Sequence, residues 1–354
     1  MRVHPVNDRT FWQGCGDIQM LCVRRILIDP SDPKIVYFGD CDWGQFQSRD
    51  GGNSWALIAG PCYSGELVGG SMDMIIDPDD PKIIYCGAGY DYGGAGGVLR
   101  GWVSSEPCFQ IVGGREKQLN GLPNAAVSAL AVVRAKSGPD TGKYLYAASN
   151  RHGIYRTNLA KGDWKWDKVS RNLPPQSCDN LYDLAGIPGT MTLYLSTNDG
   201  IFLADDGLTW RKLAGPGSNC PMLTGVKTLA VDPADARRIY ACQFTSWHGS
   251  PEQGLYITED AGTTWRRIAE INVPYGVTCV PGTPSPTVLV ASQTHGVVKV
   301  RFDPGTKTWK TEPFADPSNG LVNTRCWTVT VDPHNPGRVF VGTHGTAVFI
   351  GELK

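Results

Sequence analysis

Carboxylates and aromatic side chains occur together in a few glycine-containing segments of this 354-residue chain. That pairing suits a sugar ligand, because the C–H face of a sugar stacks on an aromatic ring while its hydroxyls hydrogen-bond to acceptors. Glycosidases need two carboxyl groups, about 5–5.5 Å apart for retention or 6.5–9.5 Å apart for inversion. We predict Asp42 and Asp91 as the acid/base pair, with Asp40 and Asp73 as further catalytic candidates. The alternative interpretation is that these four acids cap loops and have no catalytic role.

Aromatic and polar residues of the same segments form a second set, which we predict to bind substrate. Trp and Tyr rings would form the stacking subsites, and His, Asp and Arg would meet hydroxyls. The alternative is that glycine-rich loops need aromatic rings simply to pack. The predicted substrate-binding residues are Trp43, Tyr90, Tyr92, His152, Tyr182, Asp183, Trp247, His248, Arg325 and Trp327.

Three histidines precede a glycine at similar points of the chain, namely His152, His295 and His344, and Asp199 takes the same place in a fourth segment. Three imidazoles and a carboxylate could bind a transition metal or supply the base of a polysaccharide lyase. Solvated histidines inherited from a repeat are the alternative. We predict no cofactor and no bound metal, and keep these four only as weak metal candidates.

The elements that must position these residues come from an internal repeat. The phrase from Ile28 to Tyr37 returns at Ile76, Val231 and Val331, and its Asp-Pro pair is typical of a turn between two strands. Short strands repeated every ~40–50 residues are typical of a β-propeller. We count seven units, starting near residues 17, 65, 124, 179, 219, 273 and 319.

The sequence therefore predicts an all-β fold, a single seven-bladed β-propeller over residues 1–354. The last unit stops after its third strand, so residues 9–13 are expected to supply the missing strand and close the ring. The acids of the repeated turns should be structural; they are Asp29, Asp50, Asp77, Asp232, Asp260 and Asp332. Binding residues are expected in the loops from second to third strand and between units.

A second repeated phrase carries a family resemblance. Ser48-x-Asp50-x-Gly52-x-Ser54-Trp55, which returns from Thr258 to Trp265, resembles the Asp-box, or BNR repeat. With the Asp-Pro turns, the chain is similar to the propellers of glycoside hydrolase family 74 xyloglucanases and of sortilin-type domains. The xyloglucanase resemblance implies hydrolysis of a polysaccharide, an extracellular location, and acid and base residues on two propellers. This chain would then require a second propeller domain as partner.

Two other functions stay open at this point: a non-catalytic propeller that binds glycan or protein, and a metal-assisted polysaccharide lyase. A sialidase is not favoured, because Val23-Arg24-Arg25-Ile26 is followed by Leu27 rather than by the proline of the sialidase start motif. The expected ligand in the favoured interpretation is a polysaccharide or oligosaccharide.

Composition limits the partners further. The 33 basic and 34 acidic residues give a formal net charge of −1 and are interspersed, which argues against nucleic acid and membrane partners. The N-terminus lacks an apolar signal core, so we expect an extracellular or periplasmic location for a mature or excised domain, and a cytoplasmic one otherwise. Disulfides and free thiols are both open for Cys15, Cys62, Cys178, Cys220 and Cys326.

Overall fold

The structure is a computed structural model that describes residues 3–5, 13–15, 22–42, 44–59, 70–89, 97–102, 108–114, 121–135, 142–346 and 348–353. Its regular elements are strands, apart from two 3₁₀ helices at Pro175–Cys178 and Pro317–Asn319. No helix in these residues is long and apolar enough to span a membrane.

The strands follow one another along the chain in short hairpins. In the first half they are β1 (Val3–Pro5), β2 (Gln13–Cys15), β3 (Val23–Ile28), β4 (Val36–Asp40), β5 (Gly44–Ser48), β6 (Ala56–Ala59), β7 (Gly70–Ile76), β8 (Ile83–Gly89), β9 (Gly97–Trp102), β10 (Cys108–Gly114), β11 (Val127–Ala135), β12 (Gly142–Ser149), β13 (Gly153–Asn158) and β14 (Asp167–Lys168). In the second half they are β15 (Leu181–Gly186), β16 (Leu193–Thr197), β17 (Gly200–Ala204), β18 (Arg211–Ala214), β19 (Val226–Asp232), β20 (Asp235–Gln243), β21 (Gly254–Thr258), β22 (Arg266–Ala269), β23 (Pro274–Cys279), β24 (Thr287–Ser292), β25 (Gly296–Asp303), β26 (Thr308–Ala315), β27 (Cys326–Val331), β28 (Arg338–Thr343) and β29 (Val348–Glu352).

Six sheets have four consecutive strands in order, from β3–β6 through β23–β26. Consecutive antiparallel strands in repeated four-stranded sheets are the architecture of a β-propeller, so the predicted all-β propeller fold is confirmed. The sequence predicts seven equivalent blades, and this count is wrong. Among the described residues, six sheets have the four-stranded blade pattern.

The remaining sheet differs because the end of the chain supplies only β27, β28 and β29. Two N-terminal strands complete it in the order β1-β2-β29-β28-β27, which makes it five-stranded. The strand β2 meets β29 through Gln13 opposite Ile350 and Gly14 opposite Phe349. The sequence placed this N-terminal strand at residues 9–13, whereas the structure has it at Gln13–Cys15; residues 9–12 lie outside the described part.

The chain divides into two compact units. The first comprises Met1–Phe38, Phe46–Ala56 and Val226–Lys354, and the second comprises Gly39–Gln45 and Leu57–Gly225. Each unit has its own apolar clusters of buried residues from neighbouring sheets. In the first unit Phe38 stacks on Phe46 at 4.6 Å between ring centroids and meets Trp55 edge-on at 4.7 Å. In the second, Trp210 is 1% exposed within a cluster of residues from β11 to β18.

The Asp-Pro turns explain why the repeated phrase recurs. The carboxylate of Asp29 accepts hydrogen bonds from the backbone N–H of Ser31 at 2.7 Å, and Asp77 accepts from Asp79 at 2.9 Å. Asp332 repeats the pattern with the N–H of His334 at 2.9 Å. In each copy the turn carboxylate satisfies N–H groups that the tight turn leaves unpaired.

The second phrase makes an equally regular network. The carboxylate of Asp50 accepts from Ser54 N at 2.8 Å and Ser54 Oγ at 2.6 Å. Asp260 accepts from Thr264 N at 2.8 Å and Thr264 Oγ1 at 2.7 Å. These bonds tie both carboxylates to their own turns, as expected for structural acids.

Candidate ligand-binding surface

A one-residue register shift occurs near the start of six strands: β7, β11, β15, β19, β23 and β27. In each of these strands one residue has no partner on the neighbouring strand, so the strand contains a β-bulge. Bulges are frequent next to binding and active sites, where they redirect a side chain. The bulged residues are Met72, Ser128, Tyr182, Lys227, Tyr275 and Trp327. Two of the predicted binding residues, Tyr182 and Trp327, therefore occupy the same place in their sheets.

Two bulge residues of the first unit, Tyr275 and Trp327, form a stacked cluster with Arg24 and His344. The rings of Tyr275 and Trp327 have centroids 4.9 Å apart at 15°, and those of Trp327 and His344 are 5.2 Å apart at 9°. The Arg24 guanidinium lies 3.8 Å from the Trp327 ring centroid and donates to the Tyr275 hydroxyl at 3.1 Å. Because three protein groups contact the Trp327 indole, this predicted stacking residue packs within the protein.

A second cluster, here called the Phe244 patch, consists of Lys227, Phe244, Trp247 and Tyr275. Phe244 is 6% exposed and contacts the other three: its ring centroid lies 4.6 Å from that of Trp247, 6.1 Å from that of Tyr275 and 5.3 Å from the Lys227 ammonium. Trp247 is 55% exposed in the loop after β20. A large exposed indole held edge-on by a buried ring offers a flat apolar platform, and the same buried ring contacts the Lys227 ammonium.

Of the four residues in the Phe244 patch, the sequence predicts only Trp247 as a binding residue. Phe244 lies in the same loop segment that drew attention to Trp247, so its signal was present. Lys227 and Tyr275 lie inside strands, where alternation alone says nothing about a bulge. The predicted residues His248 and Arg325 are both exposed, and the backbone carbonyl of Arg325 accepts from the His344 N–H at 2.8 Å, next to the stacked cluster.

The predicted catalytic acids differ in their surroundings. Asp73 is 6% exposed; its Oδ1 accepts from Met74 N and its Oδ2 from Leu130 N of the next sheet, both at 2.8 Å. Asp183 repeats the first of these bonds with Leu184 N at 3.0 Å. Two backbone N–H bonds give Asp73 a structural role, joining one sheet to its neighbour.

Asp40 is the last residue of β4, and Asp42 lies two positions further along the chain. Asp40 is fully buried, and its Oδ1 accepts from the backbone N–H of Asp42 at 2.9 Å. Asp42 itself is half-buried. The partners predicted for it, Trp43, Tyr90, Asp91 and Tyr92, lie outside the described residues, so the Asp42–Asp91 pair stays a prediction.

Three of the four weak metal candidates, Asp199, His295 and His344, have local contacts in the structure. Asp199 accepts from Lys212 Nζ at 2.7 Å and from Ser177 Oγ at 2.8 Å. The ring Nδ1 of His295 is 2.8 Å from Thr294 Oγ1, and His152 is exposed. No metal-binding group formed by described residues includes these side chains or His344.

His295 lines a cavity of about 590 Å³ beside β25 and β26. Ile271, Val298 and Pro313 provide apolar wall, while Glu270 and Asp316 provide carboxylates. The Asp316 Oδ1 already accepts from the backbone N–H of Ser318 at 2.8 Å, at the start of the second 3₁₀ helix. The cavity has room for a small ligand.

Comparison with known proteins supports the fold and finds a partial sequence similarity to one curated protein. No family model matches the chain. A xyloglucanase of Paenibacillus sp. is 30% identical over 148 residues, which covers 37% of this chain and 14% of that protein. The chain thus spans about one seventh of the length of the curated relative that it matches.

Solved structures resemble the whole chain at low sequence identity. An extracellular domain assigned to a hybrid two-component system of B. thetaiotaomicron matches with a TM-score of 0.65 and 14% identity, over 94% of this chain and 42% of that one. The WD40 repeats of RRP9 match with a TM-score of 0.65 and 11% identity, over 99% of this chain and 100% of that one. At these identities the likeness shows fold alone. The chain is a β-propeller, and part of it is similar to a xyloglucanase.

Proposed function

We propose that this propeller binds a polysaccharide or oligosaccharide on the Phe244 patch. The observation that carries the proposal is the 55% exposure of Trp247 against the buried Phe244 ring. Exposed indoles are costly in water, whereas a sugar face covers apolar ring surface and leaves its hydroxyls free for hydrogen bonds. The similarity to a xyloglucanase over 148 residues supports a carbohydrate ligand.

The test is glycan binding by Trp247→Ala, measured by affinity electrophoresis and calorimetry on a panel of soluble polysaccharides. Removing a central aromatic anchor is expected to weaken binding by about tenfold or more. Met222→Ala is the matched control, because Met222 is 54% exposed and lies outside the patch. Unchanged affinity in Trp247→Ala, or no binding of the wild type to any glycan, would overturn the proposal.

A second candidate is hydrolysis of the bound glycan, favoured by the likeness to a xyloglucanase. We propose Asp42 and Asp91 as its acid/base pair, with Asp40 beside Asp42. Asp42→Asn is expected to abolish sugar release while binding persists. Asp73→Asn should instead lower stability by about 1–3 kcal/mol, because it loses an acceptor for a buried backbone N–H. Sugar release that survives in Asp42→Asn would exclude this pair.

The same proposal covers the repeated turns, the N-terminal strand, a second domain and the location of the protein. The turns at Asp50 and Asp260 are proposed as Asp-boxes of the kind found in family 74 and sortilin-type propellers. The N-terminal strand is proposed to close the ring of sheets. Hydrolysis in the family 74 manner would need a second propeller as partner, and an extracellular or periplasmic location would bring the protein to its polysaccharide.

A further inference from the structure

We infer that the glycan site extends from the Phe244 patch across Asn272 into the cavity beside His295, and that it therefore takes an extended run of several sugar units rather than one terminal sugar. The inference rests on the proposed glycan-binding function. One segment of the chain contributes to both places, because Ile271 lines the cavity and Tyr275 belongs to the patch. A ligand longer than one sugar ring can then contact both.

Asn272 lies between the cavity and the loop that holds Trp247. Its backbone carbonyl accepts from Ser292 Oγ at 2.7 Å and from Thr294 Oγ1 at 3.2 Å, and Thr294 lines the cavity. A Cβ placed on Gly249 would lie 3.4 Å from Asn272 Oδ1, and Gly249 comes two residues after Trp247. Asn272 is therefore next to both parts of the extended site.

The side-chain amide of Asn272 is available to a ligand. Asn272 is exposed, and within the part of the chain that the structure describes no residue hydrogen-bonds to this amide. A side-chain amide carries donors and acceptors together, so it can donate to one sugar hydroxyl and accept from its neighbour. We assign Asn272 the contact with the sugar unit that joins the patch to the cavity.

The cavity offers the groups that a sugar ring needs. Its volume of about 590 Å³ lies in the range of ligand pockets. Val298 and Pro313 provide apolar wall for the C–H face of a ring, and Thr311 provides a hydroxyl. His295 Nδ1 lies 2.8 Å from Thr294 Oγ1, while its Nε2 has no hydrogen-bond partner among the described residues. Nε2 can thus bond to a ligand hydroxyl in either tautomer.

A buried glutamine fixes the Trp247 loop against the segment that contains Asn272. Gln253 is 1% exposed; its Nε2 donates to the carbonyl of Ser246, the residue before Trp247, and its Oε1 accepts from Val273 N at 3.0 Å. Val273 has φ 46°, a conformation that costs a β-branched residue about 1–3 kcal/mol and persists only where the surroundings impose it. Less entropy is lost on binding when the two parts of a site are already held together.

The experiment compares short and long pieces of the same glycans. Calorimetry is carried out with cello-, manno- and xylo-oligosaccharides from the disaccharide to the hexasaccharide, and with xyloglucan, galactomannan and arabinoxylan as the polymers that share these backbones. For the preferred backbone, the wild type is expected to bind the hexasaccharide at least about tenfold more tightly than the disaccharide. The reason is that a chain already held on the patch meets the cavity at a high effective concentration.

Two variants test the cavity and one tests the patch. Thr311→Trp places a large side chain in the cavity from an exposed strand position, and His295→Ala removes the imidazole. Each is expected to weaken hexasaccharide binding by about three- to tenfold and to leave disaccharide binding unchanged, because the disaccharide occupies the patch alone. Trp247→Ala should weaken binding of both.

Asn272→Ala should weaken hexasaccharide binding by about two- to tenfold, the equivalent of one or two hydrogen bonds. Asn180→Ala is the matched control. Asn180 is also an exposed asparagine shortly before the first strand of a sheet, its side chain has no hydrogen bond to a described residue, and it belongs to the other compact unit. Its replacement should leave the affinity for every oligosaccharide unchanged.

The outcomes separate this inference from the proposed function. Hexasaccharide binding that is unchanged in Thr311→Trp and His295→Ala, with thermal unfolding as in the wild type, would exclude the cavity from the site. Equal affinity of the wild type for disaccharide and hexasaccharide would overturn the extended site and leave glycan binding on the patch intact. Absence of binding to all of these oligosaccharides and polymers would overturn the proposed function itself.

Discussion

Carboxylates of the repeated turns act as hydrogen-bond acceptors for their own loops. Burial raises the pKa of Asp260, but hydrogen bonds from Thr264 and Thr258 outweigh it, so its pKa lies below the ordinary value for Asp. The pKa of Asp50 is lowered by the same balance, with Ser54 and Ser48 as donors. The ionised form is therefore the one that these turns require.

Replacing Asp260 by Asn should destabilise the protein in a pH-dependent way. A folded-state pKa below the unfolded one, about 3.9, stabilises the fold above that pH and loses its effect as the pH falls through the folded pKa. Since the turn is exposed, we expect Asp260→Asn to lower the free energy of unfolding by about 0.5–1 kcal/mol at pH 7. The measurement is urea unfolding of both proteins between pH 7 and pH 2.

The loss should shrink as the pH falls below about 4, where the unfolded carboxyl takes up a proton, and it should vanish below the lower folded-state pKa, where the folded carboxyl is protonated too. Glu259→Gln is the control: its exposed ion pair with Arg266 at 2.8 Å should contribute little. A constant loss across the whole pH range would contradict the role given to the ionised Asp260.

At the level of elements, the bulged strands determine which side chains meet, and the last sheet determines where the N-terminal strands pair. A bulge near the start of six strands places one side chain per strand out of the regular alternation, and Lys227, Tyr275 and Trp327 are among these side chains. The last sheet has only three strands from the C-terminal part of the chain, so β29 would otherwise present an unpaired edge. The pairing of β2 with β29 covers that edge.

Deleting residues 1–15 should lower the thermal midpoint and promote association, because β29 loses its partner strand. Deleting residues 1–5 removes only β1, the outermost strand of the sheet, and is expected to change the midpoint much less. Differential scanning calorimetry and light scattering of both deletions provide the measurement. Equal midpoints for the two shortened proteins would show that β2 adds no stability.

Across the whole molecule, the pKa shifts of the cysteine thiols reflect how deeply they are buried. The chain has eleven cysteines, and the eight whose side chains the structure describes are free thiols. Of the five cysteines left open between disulfide and thiol, Cys178, Cys220 and Cys326 are free thiols here. Burial raises the pKa of Cys279 to about 12 and also raises the pKa of Cys178, Cys220 and Cys326.

These four thiols should therefore resist alkylation at pH 8 in the native protein, because the thiolate is the reactive form. We expect them to react together only when the fold opens in denaturant. Mass spectrometry after iodoacetamide pulses at increasing urea concentrations measures the order. Native-state labelling of Cys279 or Cys326 at the unfolded rate would contradict this packing.

The sequence by itself determined the features that depend on neighbours in the chain. The Asp-Pro phrase predicts its turn because a carboxylate reaches N–H groups two residues on, and the alternating apolar runs predict strands of a propeller. Trp247 was found in the same way, as an aromatic residue in a polar loop.

Only the tertiary structure decided which side chains meet. Asp73 was predicted as a catalytic acid, yet its second oxygen accepts from Leu130 of the next sheet, a partner 57 positions away. Lys227 and Tyr275 join Phe244 because bulges in two different strands place them beside one ring. A bulge is a one-residue slip that depends on packing between sheets, and the local alternation of residues carries no record of it.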